Sequence, residues 1–219
     1  MTVDKPNWKL VKADCLDFMR SQKDAAFDLA IADPPYGIGR DWEKRDWRSR
    51  AKYKECGYIN KRPLPEVFSE IQRVSKHWII WGWNYFTDIL PPTNYLIVWD
   101  KMSNCNPVFR YSKCEIAGTN ITIPCNLVSI GWDGYRMGEE TGTKKIHPHQ
   151  KPIALYRWLL REYAKDCRTV FDPFAGSAAS GVACLQLGYD WTGCEIEPMF
   201  FDAANKRMID ASTKGETHA

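Results

Sequence analysis

Phe27-Asp28-Leu29-Ala30-Ile31-Ala32-Asp33-Pro34-Pro35-Tyr36 opens as an apolar run and closes on an acid, two prolines and an aromatic ring. Residues 27–32 are too few for a helix and are bounded by turn formers, so they read as a short buried strand. Pro34 and Pro35 stop it, because proline donates no ladder hydrogen bond and restricts the residue before it. Asp33 is thereby placed at the carboxyl end of the strand, where open α/β sheets bind their ligands. Pro34 carries a carbonyl acceptor with no N–H beside it, and Tyr36 adds a flat π face. A carboxylate, a carbonyl and a ring at fixed spacing suit the grip of an exocyclic amine on a planar base. Asp33, Pro34, Pro35 and Tyr36 are therefore the candidate catalytic residues.

On either side of this stretch, strand and helix patterns alternate. Strand patterns are predicted over 8–13, 77–81, 95–99, 112–117, 125–130, 169–171 and 191–194. Helical spacing is predicted over 15–22, 66–75, 152–164, 177–187 and 198–208, with a helical turn at 85–90. The segment 131–149 reads as loop, and the small polar tail 210–219 is expected to fray. Such alternation predicts an α/β fold, a doubly wound and mostly parallel sheet. With 219 residues, the chain is expected to form one domain over 1–219. No apolar run is long enough to span a bilayer and no signal-peptide pattern follows Met1, so a cytoplasmic protein without a membrane partner is expected. The eight cysteines form no Cys-x-x-Cys pair, and His147 and His149 lack a matching second pair, so no metal site is expected.

The net charge of +3 is unevenly placed. Between Arg40 and Arg62 stand nine basic against four acidic residues, with Trp42, Trp47, Tyr53 and Tyr58 among them. Basic residues for phosphates and rings for bases make a nucleic-acid contact, and the stretch begins beside Tyr36. Arg40, Trp42, Lys44, Arg45, Trp47, Arg48, Arg50 and Lys52 are the candidate contacts. A solvated surface loop is the alternative reading.

A second site lies near the other end. Val170 to Gly181 reads as strand, small-residue turn and helix. Gly176 lets the backbone approach a ligand closely, and the helix start offers free N–H groups. Glu195 ends the next strand about twenty residues on, where an acid takes the two hydroxyls of a ribose. Glycine turn and downstream acid together indicate a nucleoside cofactor. A phosphate loop is excluded, because the Gly-Lys-Ser/Thr ending is missing.

The chain resembles the amino-methyltransferases that use S-adenosylmethionine to modify adenine N6 or cytosine N4 in DNA. Asp33-Pro34-Pro35-Tyr36 is similar to their catalytic motif, and Asp172-Pro173-Phe174-Ala175-Gly176-Ser177 to their cofactor loop. His147-Pro148-His149-Gln150-Lys151-Pro152 resembles the His-Pro-Thr-Gln-Lys-Pro element of that family, with His149 in place of threonine. Ala178-Ala179-Ser180-Gly181 stands where the family usually has Gly-Thr-Thr-Gly. Catalytic motif before cofactor loop is the family's permuted beta order. The resemblance implies a Rossmann-like domain and a cofactor pocket lined by Asp14, His147, Lys151, Asp172, Phe174, Gly176, Ser177 and Glu195. It assigns Glu195 to the ribose, Asp14 to the adenine amino group and Asp172 to the methionine ammonium. Lys151 becomes a partner for the methionine carboxylate.

The implied substrate is double-stranded DNA with the target base flipped out, because the duplex hides the amine. An aspartate at the first catalytic position goes with adenine N6 in that family, and cytosine N4 stays open. An RNA adenine methyltransferase and a catalytically inactive binding subunit are the competing readings. Cytosine C5 chemistry needs a cysteine nucleophile, and the only Pro-Cys, Pro124-Cys125, lies far from the catalytic motif. Target recognition falls to the 40–62 loop and to 118–146. Both are short, which implies a short or degenerate target, or help from an oligomeric partner such as a second copy of the chain.

Overall fold

The computed structural model describes residues 6–38, 61–102, 112–132 and 137–214. Arg40, Trp42, Lys44, Arg45, Trp47, Arg48, Arg50 and Lys52 lie outside the described residues. Strands β1 (Trp8–Lys12), β2 (Phe27–Ala32), β3 (Ser75–Trp81), β4 (Leu96–Asp100), β5 (Cys114–Thr119), β6 (Asn126–Ser129), β7 (Thr169–Asp172) and β8 (Asp190–Glu195) form one sheet, ordered β1-β8-β7-β2-β3-β5-β4-β6. Only β5 runs against its neighbours β3 and β4; the other pairings are parallel. The expected mostly parallel sheet is thus present, with one reversed strand that periodicity could not orient.

Side chains alternate across a strand, so each strand feeds both faces of the sheet. Leu29 and Ile31 join one core with Ile79 and Trp81, while Ala30 and Ala32 join the other with Trp78 and Ile80. Helices α3 (Ile153–Tyr163), α4 (Ala179–Leu187) and α5 (Pro198–Lys214) supply the first core. Helices α1 (Cys15–Arg20) and α2 (Pro65–Val74) cover the second. The doubly wound reading holds because both faces are apolar and each has helices to cover it.

Two local expectations are corrected. Helix α5 continues through Lys214 instead of fraying from Asp210, since Ala204 and Met208 are fully buried and Ala211 packs on the same core. Helix α4 starts at Ala179, not Ser177, because Ala178 takes a left-handed conformation with φ 53°. The described part of the 118–146 stretch supplies the end of β5, all of β6 and a 3-10 turn at Gly138–Glu140.

Asp28 staples three strands at the amino end of β2. Its Oδ2 accepts from the Arg168 and Thr169 N–H groups at 2.9 Å each, and its Oδ1 from Lys76 Nζ at 2.7 Å. Burial works to raise this carboxyl, but Lys76 and the β7 donors outweigh it and hold the group below the ordinary carboxylate range. The stability this supplies is present above the unfolded-state value of 3.8 and is lost as pH falls through the lowered folded value. Asp28→Asn is expected to lose about 1–3 kcal/mol at neutral pH, less whatever solvent screens at the Lys76 end. Urea unfolding at a series of pH values checks it: the gap to the parent should narrow below about pH 4.

Candidate active site

Strands β1, β8, β7 and β2 are successive neighbours and run the same way, so their carboxyl ends share one edge. Each ends in an acid: Asp14 just past β1, Glu195 closing β8, Asp172 closing β7 and Asp33 just past β2. Three strand spacings put the row at about 14 Å from end to end. The four residues stand at the ends of four strands, whose order in the sheet periodicity alone does not give.

At one end of the row, Asp33 is gripped on both oxygens. Tyr36 Oη donates to Oδ1 at 2.8 Å, and Lys151 Nζ lies 2.6 Å from Oδ2. The same ammonium lies 2.8 Å from Glu115 Oε2 and 3.3 Å from the Tyr36 hydroxyl. Lys101 Nζ holds the other Glu115 oxygen at 2.9 Å. Lys151 is only 7% exposed. Burial works against its charged form, and Asp33 and Glu115 overcome this to hold its pKa above the ordinary lysine value. Burial likewise opposes the Glu115 carboxylate, and Lys151 and Lys101 bring it well below its usual range. Burial, with Asp33 and Glu115 nearby, pushes the Tyr36 phenol well above 10, so it stays a donor. The Tyr36 ring stacks on Tyr85 with centroids 5.0 Å apart and meets Phe86 edge-on. Pro34, next along the chain from Asp33, is buried.

Lys151 thus stands in the Asp33 cluster. Its ammonium donors are directed at Asp33, Glu115 and the Tyr36 hydroxyl, and its assignment to the cofactor's carboxylate rests on the resemblance alone. The loop carrying it is fixed by Glu140, whose carboxylate accepts from Gln150 Nε2, from the Ile153 N–H at the start of α3, and from Arg207.

The glycine turn lies at the middle of the row. Gly176 has φ +50°, a region that L side chains rarely adopt, and His147 packs against it. Its N–H donates to Glu195 Oε2 at 2.9 Å, and the Glu197 N–H donates to Oε1 at 2.8 Å. Burial raises the Glu195 carboxyl. Asp172 is 2% exposed and accepts from the Phe174 N–H and the Ser180 hydroxyl. Burial, reinforced by Asp33 and Glu195, pushes it up to about 7. His147 is half-buried and packs edge-on against Phe200, and its desolvation brings the imidazole down to about 3, so it is neutral. Ser177 is buried, with its carbonyl held by Arg207. Asp14 is exposed and caps α1 through the Leu16 N–H at 2.7 Å. A buried carboxylate raised toward neutrality by burial and by other acids suits a positively charged ligand group. Glu195, fixed by two backbone donors, keeps lone pairs for hydroxyls. The donor set fits a ligand with hydroxyls at one end and positive charge toward Asp172.

The family model for DNA methylases, covering N6 and N4 enzymes, matches residues 98–206. The type II methyltransferase M2.MboI of Moraxella bovis is 24% identical over 242 residues, 93% of this chain and 88% of that one. The type II methyltransferase M.HpaI of Haemophilus parainfluenzae is 23% identical, covering 91% of this chain and 74% of the relative. The chain belongs to the N6/N4 DNA methylase family. Two solved structures share the methylase fold. The M1.HpyAVI–SAM complex superposes with TM-score 0.55 at 19% identity, covering 92% and 98% of the two chains. The cytosine-N4-specific PvuII DNA methyltransferase gives 0.62 at 15% identity, covering 96% and 93%. The methyl donor of this family is S-adenosylmethionine, which carries a ribose diol and a cationic sulfonium.

Sequence reasoning missed three parts of this methylase site: Glu115, Lys101 and Tyr85. Each lies in an unremarkable stretch, and only the fold brings Glu115 to Lys151, Lys101 to Glu115 and Tyr85 to the Tyr36 ring. Among the described residues no group of three or more metal-ligating side chains occurs. No described helix is long and apolar enough to cross a membrane.

Proposed function

We propose that this methylase transfers a methyl group to the exocyclic amine of a base flipped from duplex DNA, adenine N6 in preference to cytosine N4. The observation that carries the reading is the Asp33 carboxylate, fixed on both oxygens at the end of an acid row that suits the cofactor. The preference for adenine rests on Asp33 as the first motif residue, and the cytosine-N4 neighbour keeps the alternative in play.

The bound cofactor supplies an electrophilic methyl group. Asp33 and the Pro34 carbonyl accept the two N–H bonds of the base amine. This draws the nitrogen out of conjugation with the ring and exposes its lone pair. The Asp33 charge then offsets the positive charge that grows on nitrogen. After transfer, Asp33 is the nearest base for the proton that the nitrogen sheds. Glu195 holds the ribose, Asp172 faces the positive end and Asp14 the adenine of the cofactor, with Phe174 and His147 as pocket wall. Arg40 to Lys52 is our proposed phosphate contact, resting on composition alone.

The test is product identity. Duplex DNA and RNA oligomers are incubated with enzyme and cofactor, then digested to nucleosides and resolved by mass. N6-methyladenine from DNA is expected; N4-methylcytosine, or modification of RNA alone, replaces the reading.

Asp172 gives a second measurement. With its carboxyl pushed up to about 7, the free site is partly protonated near neutrality. A cation favours the ionised form, so binding should release a proton and tighten as pH rises. Calorimetric affinity for S-adenosylmethionine is expected to improve by up to about tenfold per pH unit below about 7 and then to level. Asp172→Asn should flatten the profile.

A further inference from the structure

We infer that Glu115 is a positioning residue for methyl transfer: it offsets the charge of Lys151, so that Asp33 keeps a net negative charge toward the reacting amine. The inference rests on the reading of Asp33 as the acceptor of that amine.

Lys151 Nζ lies between two carboxylates, 2.6 Å from Asp33 and 2.8 Å from Glu115. Were Asp33 its only partner, the two would form a neutral ion pair. Such a carboxylate attracts a nitrogen that is becoming cationic only weakly, and the ammonium beside it repels that nitrogen. Glu115 changes the local sum. Asp33, Lys151 and Glu115 together carry one formal negative charge. Lys101 balances the cluster, but it reaches the far oxygen of Glu115 at 2.9 Å, one residue further from the amine, where its field is weaker.

The placement is rigid. Glu115 projects from β5, opposite Trp99 of β4, and strands hold side chains more tightly than loops do. The Tyr36 hydroxyl lies 2.8 Å from Asp33 and 3.3 Å from Glu115, so both carboxylates define its position. Lys151 also lies over the Tyr36 and Trp81 rings at 5.7 and 5.6 Å, which leaves it little room to turn away.

Charge balance makes the role testable by a pair of substitutions. Glu115→Gln is expected to lower kcat by about 10- to 100-fold, with cofactor Kd and DNA KM within about threefold of the parent. Glu115→Asp, which keeps the charge on a shorter arm, should retain more activity than Gln. Lys151→Met placed on Glu115→Gln removes the cation that is no longer offset, and should recover at least about threefold in kcat. A merely structural Glu115 predicts the reverse, with the double variant slower than Glu115→Gln. Cofactor calorimetry reports folding of each variant, and the charge-balanced double serves where the single does not fold. Asp33→Ala is the control. Should it retain turnover, the reading of Asp33 falls. Should it be inactive while Glu115→Gln stays within about twofold of the parent, or the double be slower than the single, this inference alone falls.

Discussion

Asp33→Ala is expected to reduce methyl transfer by at least about a hundredfold while S-adenosylmethionine affinity stays within about threefold. Asp33 stands at the end of the acid row, held by Tyr36 and Lys151, and in the proposed mechanism its loss removes a contact made to the reacting amine. Lys151 keeps Glu115 as a partner, and Tyr36 has Glu115 within 3.3 Å, so neither is stranded in the buried cluster. The fold should therefore survive, at a loss of about 1–3 kcal/mol for the acceptor removed. Transfer of labelled methyl groups to duplex DNA under single-turnover conditions measures the chemical step, and calorimetry measures cofactor binding. Near-parental transfer would show that another group holds the amine.

How much of this was legible in the sequence depends on distance along the chain. The β2 strand was, because Leu29 and Ile31 alternate with Ala30 and Ala32 and two prolines mark the end. The glycine turn and Glu195 were, since turn, helix and acid keep a short, fixed spacing. Asp28 was not: its staple joins donors some 140 positions away, at Arg168 and Thr169. Glu115 was invisible for the same reason. Nothing near it in sequence marks it, and its partners Asp33 and Lys151 come from two other segments. Lys151 was singled out by its motif, but a motif carries no direction for a side chain, so its ion pairs with Asp33 and Glu115 were not legible. Only after β5 is seen to run antiparallel between β3 and β4 does Glu115 come within reach of it.

Gly82 is the position where one added methyl group is expected to do the most damage outside the reacting residues. It has φ +72°, which strains any L side chain by about 1–2 kcal/mol. A Cβ there would lie 2.3 Å from Tyr36 Cε1, 2.5 Å from Cδ1 and 2.8 Å from Cζ. Three ring atoms cannot all give way by a rotamer change. The ring is held by Tyr85 on a face and by its hydroxyl on Asp33. Gly82→Ala must therefore push Tyr36 outward and pull its hydroxyl off the carboxylate. We expect a stability loss of about 2–4 kcal/mol from strain and overpacking together. Methyl transfer should fall by about tenfold or more, since Asp33 loses a fixed donor. Adding Tyr36→Ala removes the ring that clashes, so the double variant should be more stable than the two single losses predict. Thermal melts of the four proteins in the cycle decide it: simple additivity would mean that the Tyr36 ring does not rest on Gly82.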